Sequence, residues 1–283
     1  MDPEIEATPQ IVRSVVTAHL DALAAALADP DCDVDAWAEV ERELLNTRDP
    51  DLIPHLRAHL ANAVEAGNWY ARSVLAGILA ETAGRTAMPD LLQAYSRDLG
   101  DDQDSLSTTL HTFATEDPAA ARGVLVPWAD APDQDLRRVA IHYLGYVPDP
   151  ADIALLARAA GDTDEGIRTA AAATLASHRT IQSALEILVT LLGDLSTQVR
   201  VSALDSLGYI RNPATLPAIG RLADDDTPTI RAWVAIVLAR FPTTDSGIEP
   251  AILDILDQLA SDPDPYVREK AVEARQLTLR PRA

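Results

Sequence analysis

An arginine that directly follows an apolar residue recurs along this chain at a nearly constant interval. The five occurrences are separated by 31, 32, 31 and 37 residues and are Leu136-Arg137, Ile167-Arg168, Val199-Arg200, Ile230-Arg231 and Val267-Arg268. An Ala or Val stands three residues after each arginine, and a Leu stands seven residues after each of the first four. This spacing places the apolar residues on one face of an α-helix.

The segment 196–226 shows one complete copy of the repeat. Its first part carries Val199, Ala203, Leu207 and Ile210 at helical spacing, Asn212-Pro213 ends that helix, and a returning helix carries Leu216, Ile219 and Leu222. Neither helix can bury its apolar face alone, so the unit requires stacked copies of itself. The expected fold is therefore all-α, an α-solenoid of about eight helical hairpins.

We extend this pattern over the whole chain, residues 1–283, as a single solenoid domain. A cap helix is expected over 8–28, regular repeats over 131–277, and a mobile loop insertion at 241–249 that accounts for the spacing of 37. Prolines cluster where helices begin, which is where a missing N–H is tolerated best. The last four pairs are expected to have first helices beginning near Pro150, Thr180, Pro213 and Ile248, and second helices beginning near Asp164, Thr197, Thr227 and Asp264.

The composition limits the classes of function. The formal charge is −21, and residues 1–130 hold 23 acidic and 8 basic side chains. A field of this sign repels a phosphate backbone, so we expect no nucleic-acid partner, and it would attract a basic protein to the N-terminal half. The alternative is that the acidity only keeps the chain soluble.

The sequence also bears on where the protein is expected. The chain has no apolar run long enough to span a bilayer and no signal-peptide pattern at its N-terminus, and its one cysteine is Cys32. We therefore expect a cytoplasmic protein without a membrane partner. Its abundant Ala and Arg with a single Lys suggest a bacterial source.

The motif DxxxxVRxxAxxxLG, which runs here from Asp194 through Val199-Arg200 and Ala203 to Leu207-Gly208, resembles the HEAT repeat, particularly the short form also found in phycobilin-lyase-like proteins. An Asp stands six residues before four of the five arginines, and Ala131 is the exception. The resemblance implies that these side chains form a structural ladder between neighbouring repeats, made of Arg137, Arg168, Arg200, Arg231 and Arg268 with Asp162, Asp194, Asp225 and Asp262. A phosphate-binding arginine row is the alternative, but a helical wheel places Arg200 beside the core, which favours the structural role.

The same wheel directs the second, fifth and ninth residues after each arginine away from the core. In HEAT proteins this helix lines the concave side, so these positions are the candidate binding surface. Aromatic and apolar side chains recur there in a chain with only 4% aromatic residues, and such side chains often anchor interfaces. The candidate binding residues are His142, Tyr146, Asp205, Tyr209, Trp233, Ile236 and Arg240. The alternative is that the tyrosines pack under the following loops and that Trp233 packs against its neighbour.

No catalytic motif is present, and we expect no cofactor and no metal. The Asp29–Asp35 segment lacks the Gly and Glu of a calcium loop, and His55 and His59 lack a third ligand. We therefore expect a non-catalytic scaffold or adaptor that binds another protein, with a basic toxin or effector as one possible partner. Two alternatives stay open: a HEAT-like DNA glycosylase using Asp205 and Trp233, and a phycobilin-lyase-type chaperone or lyase with Tyr146, Tyr209 and Trp233 around its pocket.

Overall fold

The computed structural model describes residues 9–29, 32–101, 103–242 and 248–279. These residues form sixteen α-helices, joined by turns and short 3-10 segments, with no β-strand among them. The all-α repeat fold predicted from the sequence is confirmed. Contacts group the chain into two compact units, residues 1–128 and 129–283. The single continuous solenoid over residues 1–283 stays a prediction.

Unit 1 consists of three helical pairs followed by a seventh helix. Its helices are α1 (Pro9–Leu27), α2 (Ala38–Thr47), α3 (Ile53–Glu65), α4 (Trp69–Ala83), α5 (Met88–Ser96), α6 (Asp104–Glu116) and α7 (Pro118–Trp128). The predicted cap helix corresponds to α1, and its expected first residue, Thr8, lies outside the described residues. Helix α4 packs against α2, α3 and α6 and is the centre of the unit. Its Leu75, Ile78 and Leu79 are at most 1% exposed.

Unit 2 contains the regular repeats. Its helices are α8 (Gln134–Leu144), α9 (Ile153–Ala159), α10 (Glu165–Leu175), α11 (Gln182–Leu191), α12 (Thr197–Ile210), α13 (Leu216–Gly220), α14 (Pro228–Leu238), α15 (Ile248–Leu259) and α16 (Pro265–Thr278). The second helices of the pairs, α8, α10, α12, α14 and α16, pack on one another in chain order, and the intervening first helices pack beside them. The predicted starting points of the last four pairs are confirmed to within about three residues.

The repeated apolar positions form the core of unit 2. The residues directly before the last four arginines, Ile167, Val199, Ile230 and Val267, are all fully buried. Ala203 and Leu207, three and seven residues after Arg200, are fully buried as well. Small residues allow the second helices to approach closely: a Cβ on Gly208 would lie 2.9 Å from Cγ1 of Val237 on α14. The Gly in the repeat motif therefore reflects contact between neighbouring helices.

Hydroxyl groups add hydrogen bonds between the same helices. The Thr174 hydroxyl donates to the carbonyl of Ile141 at 2.8 Å, and the Ser206 hydroxyl donates to the carbonyl of Ala172 at 2.9 Å. Both hydroxyl-bearing side chains are buried, so each polar group is satisfied by the backbone of the preceding second helix.

The predicted loop at 241–249 extends too far at its C-terminal end, because α15 already begins at Ile248. At its other end Phe241 is non-helical, and its side chain is fully buried in the core. Residues 243–247 lie outside the described residues.

Candidate functional site

Each ladder arginine stands four residues after the N-cap of its second helix, as Arg168 follows the cap Asp164. From there the guanidinium reaches the Asp that precedes the second helix of the next repeat. Arg168 contacts Asp194 through two hydrogen bonds, from Nε at 2.8 Å and from Nη2 at 2.9 Å. Arg231 contacts Asp262 in the same way at 2.7 and 2.9 Å. These fork-shaped pairs are the strongest form of the Arg–carboxylate interaction.

The same arginines also bind their own repeat. Nη1 of Arg231 donates to the carbonyls of Asp225 and Asp226 at 2.8 and 3.3 Å. The paired carboxylate is held in turn, because the N–H of Asp264 donates to Oδ1 of Asp262 at 2.8 Å. One arginine therefore connects the turn before its own helix to the turn before the next second helix.

Burial and pairing shift the ionisation of these groups. The pKa of Asp262 lies below its ordinary value of 3.8, first because of the hydrogen bonds from Arg231, and the N–H of Asp264 acts in the same direction. The pKa of Asp194 is lowered for the corresponding reason, with Arg168 as the first cause. Since the charged carboxylate is the favoured form, both pairs stabilise the fold at neutral pH.

The remaining arginines of the set make weaker contacts. Arg200 lies 3.3 Å from Asp225 and also donates to the hydroxyl of Thr227. Arg137 lies 3.7 Å from Asp162, beside a cavity of about 440 Å³. Arg268, in the last repeat, donates to two carbonyls of its own turn and has no carboxylate partner among the described residues.

A further pair of this kind in unit 1 was missed by the sequence analysis. Arg72 stands four residues after Asn68, which caps α4, and its guanidinium contacts Asp101, two residues before the N-cap of α6. Arg72 is fully buried, and its Nη1 also donates to the carbonyl of Arg97 at 3.2 Å. The spacing of the arginines could have revealed this pair, because Arg72 precedes Arg137 by 65 residues, which is about two repeats. Ser107, at the corresponding position of α6, interrupts the arginine series between them.

The candidate binding residues lie along the second helices of unit 2, and we call this set the second-helix row. Tyr146 is 42% exposed and Tyr209 is 63% exposed, so neither tyrosine is packed away under a loop. His142 is exposed and contacts the rings of Tyr143 and Tyr146 edge-on at 5.3 and 5.6 Å between centroids. The pKa of His142 is lowered from 6.5, first by partial burial and then by the charge of Arg138. Both effects favour the neutral form of the His142 ring.

The rest of the row lies on α12, on α14 and in the turn that follows α14. Asp205 accepts a hydrogen bond from Nη1 of Arg240 at 2.7 Å, which joins α12 to the turn after α14 through an exposed ion pair. Trp233 and Ile236 are half-buried. Of the two residues considered for a glycosylase, Asp205 is thus paired with Arg240, and the ring of Trp233 is partly covered.

One part of the helical-wheel prediction is wrong. The second position after each arginine was expected to face outwards, yet Val139 and Ala170 there are 3% and 8% exposed. The wheel considers one helix, whereas the neighbouring second helix covers this position. The hydroxyl of Ser202, at the same position of α12, shows the contact directly by donating to the carbonyl of Thr169 on α10 at 3.1 Å.

The histidines considered as metal ligands do not form a metal site. His55 is exposed, and Nε2 of His59 lies 2.8 Å from Oδ1 of Asp21. Across the described part of the chain, no three His, Cys, Asp or Glu side chains come together in a way that could hold a metal ion. Likewise, none of the helices described there is both long and apolar enough to cross a membrane.

Several solved structures have a similar fold at low sequence identity. A designed armadillo repeat protein in complex with the peptide (KR)4 is 18% identical over 68% of this chain and 99% of its own, with a TM-score of 0.47. The CpcE–CpcF complex of phycocyanin lyase from Nostoc sp. PCC7120 is 18% identical over 65% and 75%, with a TM-score of 0.41. Human deoxyhypusine hydroxylase in complex with glycerol is 19% identical over 95% and 99%, with a TM-score of 0.39. At these identities the likeness concerns the fold alone.

No curated protein sequence matches this chain. A family model does match it, and its description is HEAT repeats. The matches cover residues 123–196 and 185–275, which include the regular repeats of unit 2 up to the last turn of α16. Both the matched segments and the stacked helical pairs lead to one assignment: the chain belongs to the HEAT-repeat family.

Proposed function

We propose that this protein is a non-catalytic scaffold that binds a partner protein through the second-helix row of unit 2. The observation that carries the proposal is the exposure of Tyr146, in the turn just after α8, and of Tyr209 on α12, at 42% and 63%, beside helices whose core-facing residues are buried. Tyrosine combines a large apolar ring with a hydroxyl group and is enriched among interface anchors. Two such rings on one helix row favour protein contact over a purely structural role.

The charged members of the row support a protein partner as well. Asp205 and Arg240 neutralise each other, so the row offers a donor and an acceptor without a strong net field. Flanking polar groups of this kind fix the register of a partner around aromatic anchors. HEAT-repeat folds commonly serve as protein-binding scaffolds, which agrees with this arrangement.

The proposal can be tested by affinity capture from the source cell extract, with Tyr146→Ala/Tyr209→Ala beside wild type. The matched control is Tyr266→Ala/Leu195→Ala, which removes side chains that are 51% and 99% exposed but lie outside the row. Circular dichroism should show the same helix content in all three proteins, because no buried side chain is changed.

A partner retained by wild type and by the control, but lost by the row variant, would support the proposal. Its affinity should then be measured with the purified partner by calorimetry. Equal retention by the row variant and wild type would place the contact elsewhere and refute the role of this row.

A further inference from the structure

A groove in unit 1 lies on the second helices of the first three pairs, α2, α4 and α6. Its volume is about 440 Å³, which lies within the usual range for binding pockets of roughly 300–1,000 Å³. Its lining includes the apolar side chains of Leu45, Val74, Ile78 and Phe113, with the carboxylates of Glu41 and Glu81 beside them. We call this feature the unit 1 groove. It is separate from the second-helix row of unit 2, and its test does not depend on the proposed function.

One of the residues that line the groove, Gly77, has no side chain. Gly77 stands five residues after Arg72, the position that His142, Asp205 and Ile236 hold after their own arginines in unit 2. A Cβ built on Gly77 would have no atom within 4 Å. Since Gly77 is helical with no strained backbone angle, neither φ nor close helix packing requires a glycine here. The open space over α4 is what this glycine provides.

The carboxylates and two of the three threonines that line the groove on α6 accept hydrogen bonds. Carboxylates accept only, and Thr109 and Thr112 have already used their protons within their own helix. The Thr109 hydroxyl donates to the carbonyl of Ser105 at 3.0 Å, and the Thr112 hydroxyl donates to the carbonyl of Thr108 at 2.9 Å. Their oxygens are left to a ligand as acceptors. A ligand group rich in donors is therefore the complement of this lining.

The negative charge of the groove also favours a ligand with cationic hydrogen-bond donors. Glu81 is paired with Arg48 at 2.6 Å, in an exposed contact that is weak in water. Glu41 has no cation within ion-pair distance among the residues that the structure describes. Its negative charge, with that of Asp35, helps raise the pKa of Tyr70, after burial as the first cause. Residues 1–130, with 23 acidic and 8 basic side chains, add a wider negative field.

We propose that the unit 1 groove binds an arginine or lysine side chain from a basic segment of a partner protein. The aliphatic part of that side chain packs on Val74 and Leu45, and its charged end lies at Glu41 and the threonine oxygens. Phe113 also lines the groove, and an aromatic ring near the cation adds stabilisation when the site is partly desolvated. Long basic side chains suit this environment because they combine an apolar stem with a cationic end.

The test uses the full-length protein and a fluorescein-labelled peptide of alternating Arg and Ala, with binding measured by fluorescence polarisation. An otherwise identical peptide with Glu in place of Arg controls for charge. The variant Gly77→Phe fills the groove without changing any charge, and Gly77→Ala is its matched control, since a methyl group leaves most of the space open. Glu41→Gln removes one carboxylate charge at nearly constant shape.

We expect wild type and Gly77→Ala to bind the Arg peptide within about twofold of each other, and the Glu peptide to show no binding. Gly77→Phe and Glu41→Gln should each weaken binding about tenfold, through lost space in the first case and a lost charge contact in the second. Circular dichroism and thermal melts of each variant establish that the fold is kept.

Two results would overturn the proposal. If Gly77→Phe binds the Arg peptide as tightly as wild type does, the peptide is held by the diffuse negative field and not by the groove. If wild type does not bind the Arg peptide even at low salt, the groove has no affinity for cationic side chains. Neither result would affect the proposed role of Tyr146 and Tyr209, which is tested with separate variants.

Discussion

Replacing Arg231 with alanine is expected to destabilise the fold more than any exposed substitution in unit 2. The side chains of Arg231 and Asp262 are only 12% and 6% exposed, so the substitution leaves a buried carboxylate without its cation. Removing one partner of such a pair costs about 3–5 kcal/mol, and little of this is screened by solvent. Two hydrogen bonds to the carbonyls of Asp225 and Asp226 are lost at the same time.

The matched control is Arg268→Ala. Arg268 makes the same kind of contacts to its own turn, to the carbonyls of Asp262 and Pro263 at 2.7 and 2.9 Å, but it has no carboxylate partner among the described residues. Its loss should cost about 1 kcal/mol, as expected for partly exposed hydrogen bonds. The difference between the two variants isolates the contribution of the contact to the next repeat.

Urea denaturation followed by circular dichroism at pH 7 measures both changes. With a denaturant slope of about 2–3 kcal/mol per molar, Arg231→Ala should lower the midpoint of unit 2 unfolding by about 1–2 M. The pKa of Asp262 is lower in the folded state than its ordinary 3.8, so its contribution is present above that value and is lost as pH falls through the folded pKa. The gap between wild type and Arg231→Ala should therefore narrow in acid. Equal costs for Arg231→Ala and Arg268→Ala would refute the reasoning, because the Asp262 contact would then contribute nothing.

Three further predictions concern single positions. Gly77→Ala should stabilise the protein by about 0.5–1 kcal/mol in thermal melts, because an exposed helical glycine gains propensity without a clash. Gly208→Ala should instead destabilise it by about 1–3 kcal/mol, because the new methyl group would lie 2.9 Å from Val237, and a neutral result would show that α14 can move aside. In an NMR titration His142 should have its midpoint below 6.5, and Arg138→Ala should raise that midpoint partway, since burial remains the larger cause. A midpoint at or above 6.5 in wild type would contradict this.

The helices of unit 2 were predicted well from the sequence because the spacing of their apolar residues matches the residues that are buried in the structure. Val199, Ala203 and Leu207 recur at the spacing of one helix face, and each is fully buried in the structure. Local patterns cannot show which side of a helix its neighbour covers. For this reason Val139 and Ala170 were expected on the surface, although the adjacent second helix buries them.

Features that depend on residues far apart in the chain could not be predicted from the sequence either. Arg72 follows Ala71, which is weakly apolar, and its partner Asp101 lies 29 residues away on another turn. The unit 1 groove depends on the absence of a side chain at Gly77, and a helical glycine alone does not distinguish a groove from tight packing. Gly208 illustrates this, since the same residue type there marks close contact with α14.

The Arg–Asp ladder pairs show how the fold accommodates repeats of different length. The arginine and aspartate of a pair are 26, 25 and 31 residues apart for Arg168, Arg200 and Arg231, yet the contact distances are 2.8, 3.3 and 2.7 Å. The longest separation, which includes the extra residues before α15, has the shortest contact. A separation that is longer by five or six residues has thus left the contact between neighbouring repeats intact. The repeat that holds Arg231 therefore keeps the same pairing with the turn before the next second helix as the shorter repeats do.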